Sequence, residues 1–175
     1  MAKSNTERIQ EDTLKILAEL QKNAKENIDT IAKRCGFSRQ KVWKAIKQME
    51  ADQMIWGYTA IFDEKKIGQN HFILMLKRSS KHLKEGTTDR IISRRGEDIM
   101  SEIGGTIETS AYVHGDYDWF VTFNAKDIIQ AKKYSDTLTQ LHPGEIEKIT
   151  LLQTLLFIKK QYILNPDRKK LKDIV

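Results

Sequence analysis

Three short amphipathic helices with very tight connections dominate the first third of this 175-residue sequence. An apolar stripe at helical spacing, which includes Ile9 and Leu14, predicts a first helix over residues 7–22. Asn27 and Gly36 are the residue types that begin and end a second helix. Ser38 is a suitable N-cap for a third helix that runs to about residue 52. Only the turn Gly36-Phe37-Ser38 separates the second helix from the third, which is typical of a helix-turn-helix.

The third helix has two distinct faces. Val42, Ala45, Ile46 and Met49 fall within one arc of about 100° and predict a buried side. The rest of the helix surface is basic, amide-bearing or aromatic, and it carries Arg39, Gln40, Lys41, Trp43, Lys44, Lys47 and Gln48. No acidic residue occurs between Asp29 and Glu50. Such a run between acid-balanced flanks indicates a polyanion-binding surface, and the alternative is a solvated helix face.

The residue types on this surface are those that recognise duplex DNA. Lys44 and Lys47 are suited to phosphates, and the amide of Gln40 offers a base edge both a donor and an acceptor. Arg39 lies in the first helical turn, where the helix dipole disfavours a cation unless phosphates are near. For Trp43 two interpretations stay open, packing against the neighbouring helix or contact with DNA.

The remainder of the chain alternates strand and helix patterns. A strand is predicted over residues 54–62, and the link after it ends at Gly68. Further strands are predicted at 72–77, 107–113, 118–124 and 149–158, and helices at 88–103 and 127–141. The turn His114–Tyr117 joins two of the strands in a hairpin. The order β-α-β-β-α-β predicts a ferredoxin-like unit, in which two helices cover one face of the sheet and the other face is solvated or covered by another subunit.

The predicted fold class is therefore α+β with four segments. They are a helix-turn-helix domain (1–54), a strand and linker (55–68), a ferredoxin-like oligomerisation and effector domain (69–160), and a basic C-terminal tail or short helix (161–175). Within the strand 107–113, alternation predicts two faces. One carries Ile107, Thr109, Ala111 and Val113, and the other carries Glu108, Ser110 and Tyr112.

Two segments resemble the Lrp/AsnC family, the feast/famine transcriptional regulators of bacteria and archaea: LKILAELQKNAKENIDTIAKRCGFSRQKVWKAIKQMEADQMIWGYTAIFDEKKIG and AYVHGDYDWFVTF. The resemblance covers roughly residues 8–158. It implies a sequence-specific regulator of double-stranded DNA that forms a homodimer or a higher, even-numbered oligomer. Ser38–Lys47 would be the recognition helix, and the sheet domain would form the oligomer interface and bind a small effector, typically an amino acid. By position, Gly115, Asp116, Tyr117 and Asp118 would lie beside the effector pocket.

No catalytic site, metal site or cofactor is predicted, and the chain is not expected to be an enzyme. Asp116 and Asp118 are typical of a turn, and Asp118 either closes that turn with a hydrogen bond or meets the ammonium group of an effector. The four histidines, His71, His82, His114 and His142, lie on different elements. The single cysteine, Cys35, allows neither an internal disulfide nor a cysteine-rich metal site. Because the sequence has no secretory signal and no apolar stretch of membrane-spanning length, a cytoplasmic setting without membrane partners is expected.

Two alternatives to an effector-modulated regulator stay open. The first is an effector-independent, chromosome-organising DNA-binding protein, which would bind one operator no better than random DNA. The second is a metabolite-binding module whose helical half makes only protein contacts. Such a module would fail to bind nucleic acid even at low salt, where cationic proteins usually do bind it.

Overall fold

The chain divides into two compact units. The computed structural model describes residues 5–80 and 85–175. The first unit consists of Met1–Ile61 together with Ile158–Val175, and the second consists of Phe62–Phe157.

The first unit is built on three helices at the predicted positions: α1 (Asn5–Lys22), α2 (Ile28–Cys35) and α3 (Arg39–Ala51). Its buried core includes Ile16, Ile31 and Val42. Ile9 and Leu14 were predicted within the buried stripe of α1 but are exposed. The reason is that α2 and α3 pack only on the side of α1 that carries Ile16 and Leu20.

The segment after α3 is not the strand predicted for residues 54–62. None of the strands formed by the described residues includes it, and the side chain of Trp56 is 96% exposed. Aromatic and β-branched residues favour a pleated, half-buried surface. A strand forms, however, only where a neighbouring strand satisfies its backbone N–H and C=O groups. Composition alone therefore predicted a strand for which the described chain provides no partner.

The second unit begins with a short 3-10 helix, Glu64–Ile67, and is an antiparallel sheet with helices on one face. Its elements are β1 (Asn70–Arg78), α4 (Thr87–Ile92), α5 (Arg95–Glu102), β2 (Thr106–Tyr112), β3 (Trp119–Ala125), α6 (Ile128–Leu141) and β4 (Ile146–Gln153). The strand order is β2-β3-β1-β4, with every neighbouring pair antiparallel. This order confirms the predicted ferredoxin-like topology. Phe72, Leu74 and Phe123 of the sheet pack against Ala131 and Tyr134 of α6 in the core.

The single helix predicted over residues 88–103 is in fact two helices. Arg94 has a φ of 63°, a left-handed conformation through which an α-helix of L-residues does not continue. The chain therefore leaves α4 at Ile92 and starts α5 at Arg95. Ile99 of α5 is buried in the core, whereas Ile92 at the end of α4 is exposed.

A β-bulge interrupts the alternation predicted for β2. The pairing of β2 with β3 shifts register at Glu108, and a bulge of this kind inserts one unpaired residue into a strand. Beyond the bulge, Ser110 and Tyr112 share the helix-covered face with Ile107. The alternation predicts Thr109 and Ala111 on the face of Ile107, and that assignment is wrong, because they pair with Thr122 and Phe120 on the opposite face.

The last elements of the chain also differ from the predictions. The final strand of the sheet is Ile146–Gln153 rather than 149–158, because its pairing with β1 ends where Phe72 lies opposite Gln153. The remaining residues form a hairpin, β5 (Lys159–Lys160) and β6 (Ile163–Leu164), and then a 3-10 helix, Arg168–Asp173. This C-terminal segment belongs to the first unit, in which the Tyr162 hydroxyl accepts a hydrogen bond from the Gln21 amide at 2.9 Å.

Candidate nucleic-acid interface

Hydrogen bonds at the helix ends define the turn between α2 and α3. The side-chain oxygen of Asn27 accepts a hydrogen bond from the Asp29 N–H at 2.8 Å. The hydroxyl of Ser38 accepts one from the Lys41 N–H at 3.2 Å. Between the two helices, Gly36 has a φ of 70°, a left-handed conformation that glycine adopts without steric cost. The predicted caps are confirmed, and together they set the direction in which α3 leaves the turn.

Burial of one side of α3 fixes its rotation about the helix axis. Val42 is fully buried and Met49 is 2% exposed, in the same core as Ile16 and Ile31. Burying side chains of this size contributes about 1.5–3 kcal/mol each. Rotating α3 would expose them, so its opposite face stays in solvent.

All seven predicted DNA-binding residues lie at the exposed surface of the first unit: Ser38, Arg39, Gln40, Lys41, Trp43, Lys44 and Lys47. The side chain of Trp43 is 48% exposed, so about half of its surface is open to a ligand. The amide of Gln40 is also exposed. We refer to these seven residues as the outward face of α3.

Most cations of the outward face are paired with carboxylates in the free chain. Arg39 Nη1 lies 3.3 Å from Asp29 Oδ2. Lys41 Nζ lies 2.5 Å from Asp12 Oδ2, and Lys47 Nζ lies 2.8 Å from Glu50 Oε2. Exposed pairs of this kind contribute only about 0.2–1 kcal/mol, so a phosphate can take the place of the carboxylate. Lys44 is different, because no carboxylate among residues 5–80 and 85–175 pairs with it.

Glu50 joins α3 to the segment that follows it. Its carboxylate accepts hydrogen bonds from Lys47 Nζ at 2.8 Å and from the Tyr58 hydroxyl at 3.0 Å. The bond from Lys47, followed by the bond from Tyr58, lowers the pKa of Glu50. Burial, followed by the bond to Glu50, raises the pKa of Tyr58. Near neutral pH the ionised Glu50 therefore holds Lys47 at the C-terminal end of the outward face.

The turn Gly115–Asp118 is tied to two neighbouring strands. The Oδ2 atom of Asp118 accepts a hydrogen bond from the Arg78 N–H at 2.8 Å. The hydroxyl of Tyr117 is hydrogen-bonded to the Thr150 hydroxyl at 2.8 Å. Gly115 has a φ of 151°, in the region that favours glycine. Asp118 thus links the turn to β1, a role that neither interpretation of the sequence included.

The other side chains of this turn, Tyr117 and Asp116, differ in the contacts that they make. The pKa of Tyr117 is lowered, mainly by the hydrogen bond with Thr150. Burial raises this pKa by a smaller amount, and Lys148 lowers it further. The ammonium of Lys148 lies 5.7 Å from the centroid of the Tyr117 ring. Asp116 is exposed and has no hydrogen-bond partner among the described residues. Within the turn, Asp116 therefore presents a carboxylate that is open to a ligand.

The sequence analysis missed one charged side chain, Arg78, and it predicted a second charged feature, the basic C-terminal segment, without its place in the fold. Arg78 lies on the same side of β1 as Leu74 and Leu76. The sequence signal that could have indicated its role is a cation at the end of an apolar, alternating strand. The second feature is the basic segment 159–175, with six basic and two acidic residues. It belongs to the same compact unit as α3, a placement that no local pattern indicates.

Among the described residues, no group of three or more histidine, cysteine and carboxylate side chains is arranged to hold a metal ion. His71 is hydrogen-bonded through Nδ1 to the Thr154 hydroxyl at 2.7 Å. The Nδ1 atom of His142 lies 2.9 Å from Oε2 of Glu145. His82 lies outside the described residues. None of the helices in the described ranges combines the length and hydrophobicity that crossing a membrane requires.

Comparisons with known proteins identify the type of domain and the fold. Residues 13–55 match the family of winged helix-turn-helix DNA-binding domains. An AsnC family transcriptional regulator from Agrobacterium tumefaciens is 22% identical over 89% of this chain and 96% of its own, with a TM-score of 0.63. A Neisseria meningitidis transcriptional regulator in complex with L-methionine is 16% identical over 88% of this chain and 94% of its own, with a TM-score of 0.65. A Mycobacterium tuberculosis feast or famine regulatory protein, also complexed with L-methionine, is 11% identical over 90% of this chain and 99% of its own, with a TM-score of 0.69. No curated protein sequence matches the chain.

The domain match and the structural similarity agree with the resemblance carried by the two sequence segments. The match over 13–55 covers the second half of α1 and all of α2 and α3, and the structural similarity covers most of the chain. The chain therefore has the fold of the Lrp/AsnC transcriptional regulators, with a winged helix-turn-helix match at its N-terminal helices.

Proposed function

We propose that the chain is a cytoplasmic, oligomeric and sequence-specific DNA-binding transcriptional regulator that responds to a small effector. The observation that carries the proposal is the outward face of α3. Helix caps and buried side chains hold this face in solvent, and it offers cations and an amide without an acidic residue before Glu50. Fold alone does not define function, so the proposal depends on the chemistry of this face.

Five residues of the outward face have assigned roles in the proposed DNA binding. Lys44 and Lys47 contact phosphates, and in the complex a phosphate replaces Glu50 as the partner of Lys47. Arg39 and Ser38 lie at the N-terminal end of α3, where free N–H groups and the helix dipole also favour a phosphate. Gln40 reads a base edge in the major groove, because its amide supplies a donor and an acceptor together.

The variant Gln40→Ala tests the proposed reading of a base. We expect it to reduce discrimination at one base pair per half-site by about 1–3 kcal/mol and to leave the other positions unchanged. The measurement is the affinity of the full chain for a set of duplexes in which each operator base pair is varied in turn. Gln48→Ala is the matched control, because that amide is engaged with Asp52 at 2.8 Å. An equal loss of affinity on every duplex would exclude base reading by Gln40. Equal wild-type affinity for all duplexes would instead support a chromosome-organising protein.

The sheet of the second unit supports the proposed oligomer. Its face opposite the helices carries apolar side chains at alternate positions: Ile73, Met75, Phe120 and Leu152. Leu152 is 46% exposed in the single chain. A second copy packed on this face would bury these side chains and generate a two-fold axis. A two-fold protein binds a pseudo-palindromic operator whose half-sites lie about one helical turn apart, or a multiple of that.

We place the effector beside the turn Gly115–Asp118. The exposed carboxylate of Asp116 is suited to the ammonium group of an amino acid. Two of the structurally similar regulators are described as complexes with L-methionine, and amino acids are therefore the first ligands to test.

A thermal shift series with the twenty amino acids tests the effector proposal. A ligand that binds the native state near 100 times its Kd is expected to raise Tm by about 5–10 °C. Asp116→Ala should abolish that shift. Asp136→Ala, which removes an exposed carboxylate from α6, should preserve it. If no amino acid raises Tm, the effector part of the proposal is wrong and the DNA-binding part is unaffected.

A further inference from the structure

An apolar cavity that is open to solvent on one side lies in the second unit, between the sheet and the helices that cover it. Its volume is about 430 Å³, which falls in the range of small-molecule sites in proteins, roughly 300–1,000 Å³. Apolar side chains from β1, α4, β2, β3 and α6 form most of its wall: Leu76, Ile91, Ile107, Trp119, Leu138 and Leu141. The wall therefore suits the apolar body of a ligand.

The β-bulge at Glu108 turns the polar groups of Ser110 and Tyr112 to the wall of this cavity. Ser110 accepts a hydrogen bond from Trp119 Nε1 at 2.9 Å, and the rings of Tyr112 and Trp119 meet edge to face with centroids 5.5 Å apart. The hydroxyl of Tyr112 accepts a hydrogen bond from Arg78 Nη1 at 3.1 Å. These contacts fix the guanidinium of Arg78 at the wall of the cavity.

Arg78 is the cation of this wall whose charge is not balanced. Lys77, Arg94 and Arg95 also line the cavity, and each is paired with a carboxylate, respectively Glu147, Glu97 and Asp98. Glu145, another lining residue, accepts a hydrogen bond from the Thr87 hydroxyl at 2.9 Å. The guanidinium of Arg78 forms no ion pair with any described residue, and its buried Nε has no hydrogen-bond acceptor there.

A buried guanidinium N–H without an acceptor is costly, because its desolvation is not compensated. A carboxylate that accepts hydrogen bonds from the guanidinium would remove this cost, and two such bonds form the geometry that arginine prefers. We propose that the cavity binds an amphipathic monocarboxylate. Its carboxylate lies on Arg78 Nε, and its aliphatic or aromatic tail lies against the apolar wall.

This site is separate from the proposed effector site at the turn. Arg78 meets the two regions with different groups, its guanidinium at the cavity and its backbone N–H at Asp118. Asp116, the exposed carboxylate of the turn, does not line the cavity. A variant of Asp116 therefore distinguishes the two sites.

The test uses the full chain and titration calorimetry with two probes of equal chain length, octanoate and 1-octanol. We expect octanoate to bind at one site per chain. Arg78→Gln should weaken octanoate binding at least about tenfold, because the loss of the charge removes the ionic hydrogen bonds. The same variant should leave 1-octanol binding unchanged, since the alcohol uses only the apolar wall. Asp116→Asn should leave the binding of both probes unchanged.

A matched pair of variants on α6 tests the location. Leu141→Trp fills the cavity and should abolish the binding of both probes. Ile129→Trp adds the same bulk at a position that is 76% exposed on α6 and outside the cavity, and it should preserve binding. If Arg78→Gln does not fold, the contrast between the two tryptophan variants still decides the location. The proposal is overturned if wild-type chain binds no octanoate at millimolar concentration, if Arg78→Gln binds it as wild type does, or if both tryptophan variants behave alike.

Discussion

Lys44→Glu is expected to lower the affinity of the full chain for its operator about 100-fold at roughly 0.1 M salt. Lys44 is the cation of the outward face without a carboxylate partner among the described residues. Reversing its charge therefore replaces a phosphate contact by direct repulsion. Fluorescence anisotropy over a salt series measures the effect. The slope of log K against log salt should become less negative by about one unit per bound subunit.

The control for Lys44→Glu is Lys132→Glu. Lys132 is exposed on α6 of the second unit, so its reversal changes the net charge of the chain by the same amount. Lys132 is not part of the outward face of α3, and salt screens charges that do not contact DNA over about 10 Å, so we expect the affinity to fall by no more than about threefold. If both variants lose the same affinity, net charge alone controls binding. If Lys44→Glu keeps the wild-type slope, Lys44 does not contact DNA.

Leu152→Glu is expected to convert the oligomer into monomers at micromolar concentration. Leu152 lies on the sheet face opposite the helices and is 46% exposed in the single chain. In a two-fold interface each copy would bury one new carboxylate without a partner, at a cost of several kcal/mol per charge. Light scattering coupled to gel filtration measures the mass. Affinity for an operator with two half-sites should fall at least about 100-fold, because the half-sites are then bound independently.

Ile129→Glu is the matched control for the oligomer. It makes the same change of residue type on α6, where Ile129 is 76% exposed, and it should leave both the mass and the DNA affinity unchanged. A Leu152→Glu chain with the mass of the wild-type oligomer would show that the open sheet face is not the interface.

The helical unit could be predicted from the sequence because local signals determine it. The caps at Asn27 and Ser38, the left-handed Gly36 and the periodic apolar side of α3 all act within a few residues. The same periodicity predicts which side chains of α3 face solvent. The outward position of Gln40 and Lys44 therefore followed from helical geometry alone.

Features that depend on distant partners could not be predicted. Residues 54–62 have the composition of a strand, but a strand also needs a neighbouring strand. The bulge at Glu108 exchanges the faces of β2, and it becomes visible only in the pairing of β2 with β3. The break at Arg94 places a non-glycine residue in a left-handed conformation, and no residue type in the sequence indicates it.

The contacts of the site residues also fall into two groups, those that local sequence predicts and those that depend on distant segments. The pair of Lys47 with Glu50, three residues apart on one helix, follows from helical spacing. The pair of Lys41 with Asp12 depends on how α1 packs against α3. The role of Arg78 depends on a cavity between a sheet and three helices, and no single segment of the sequence encodes that cavity.

The position of α3 on the duplex is measured most directly by DNA cleavage from a single tethered group. In a full chain with Cys35→Ala and Gln40→Cys, the only cysteine lies on the outward face of α3 and can carry iron-EDTA. We predict strand scission confined to a few base pairs in each half-site, in two clusters about one helical turn apart or a multiple of that. The same label on Lys132→Cys, also with Cys35→Ala, should give no localised scission. If the Gln40→Cys chain binds the operator but cleaves it no more locally than the Lys132→Cys chain does, the outward face of α3 does not enter the duplex.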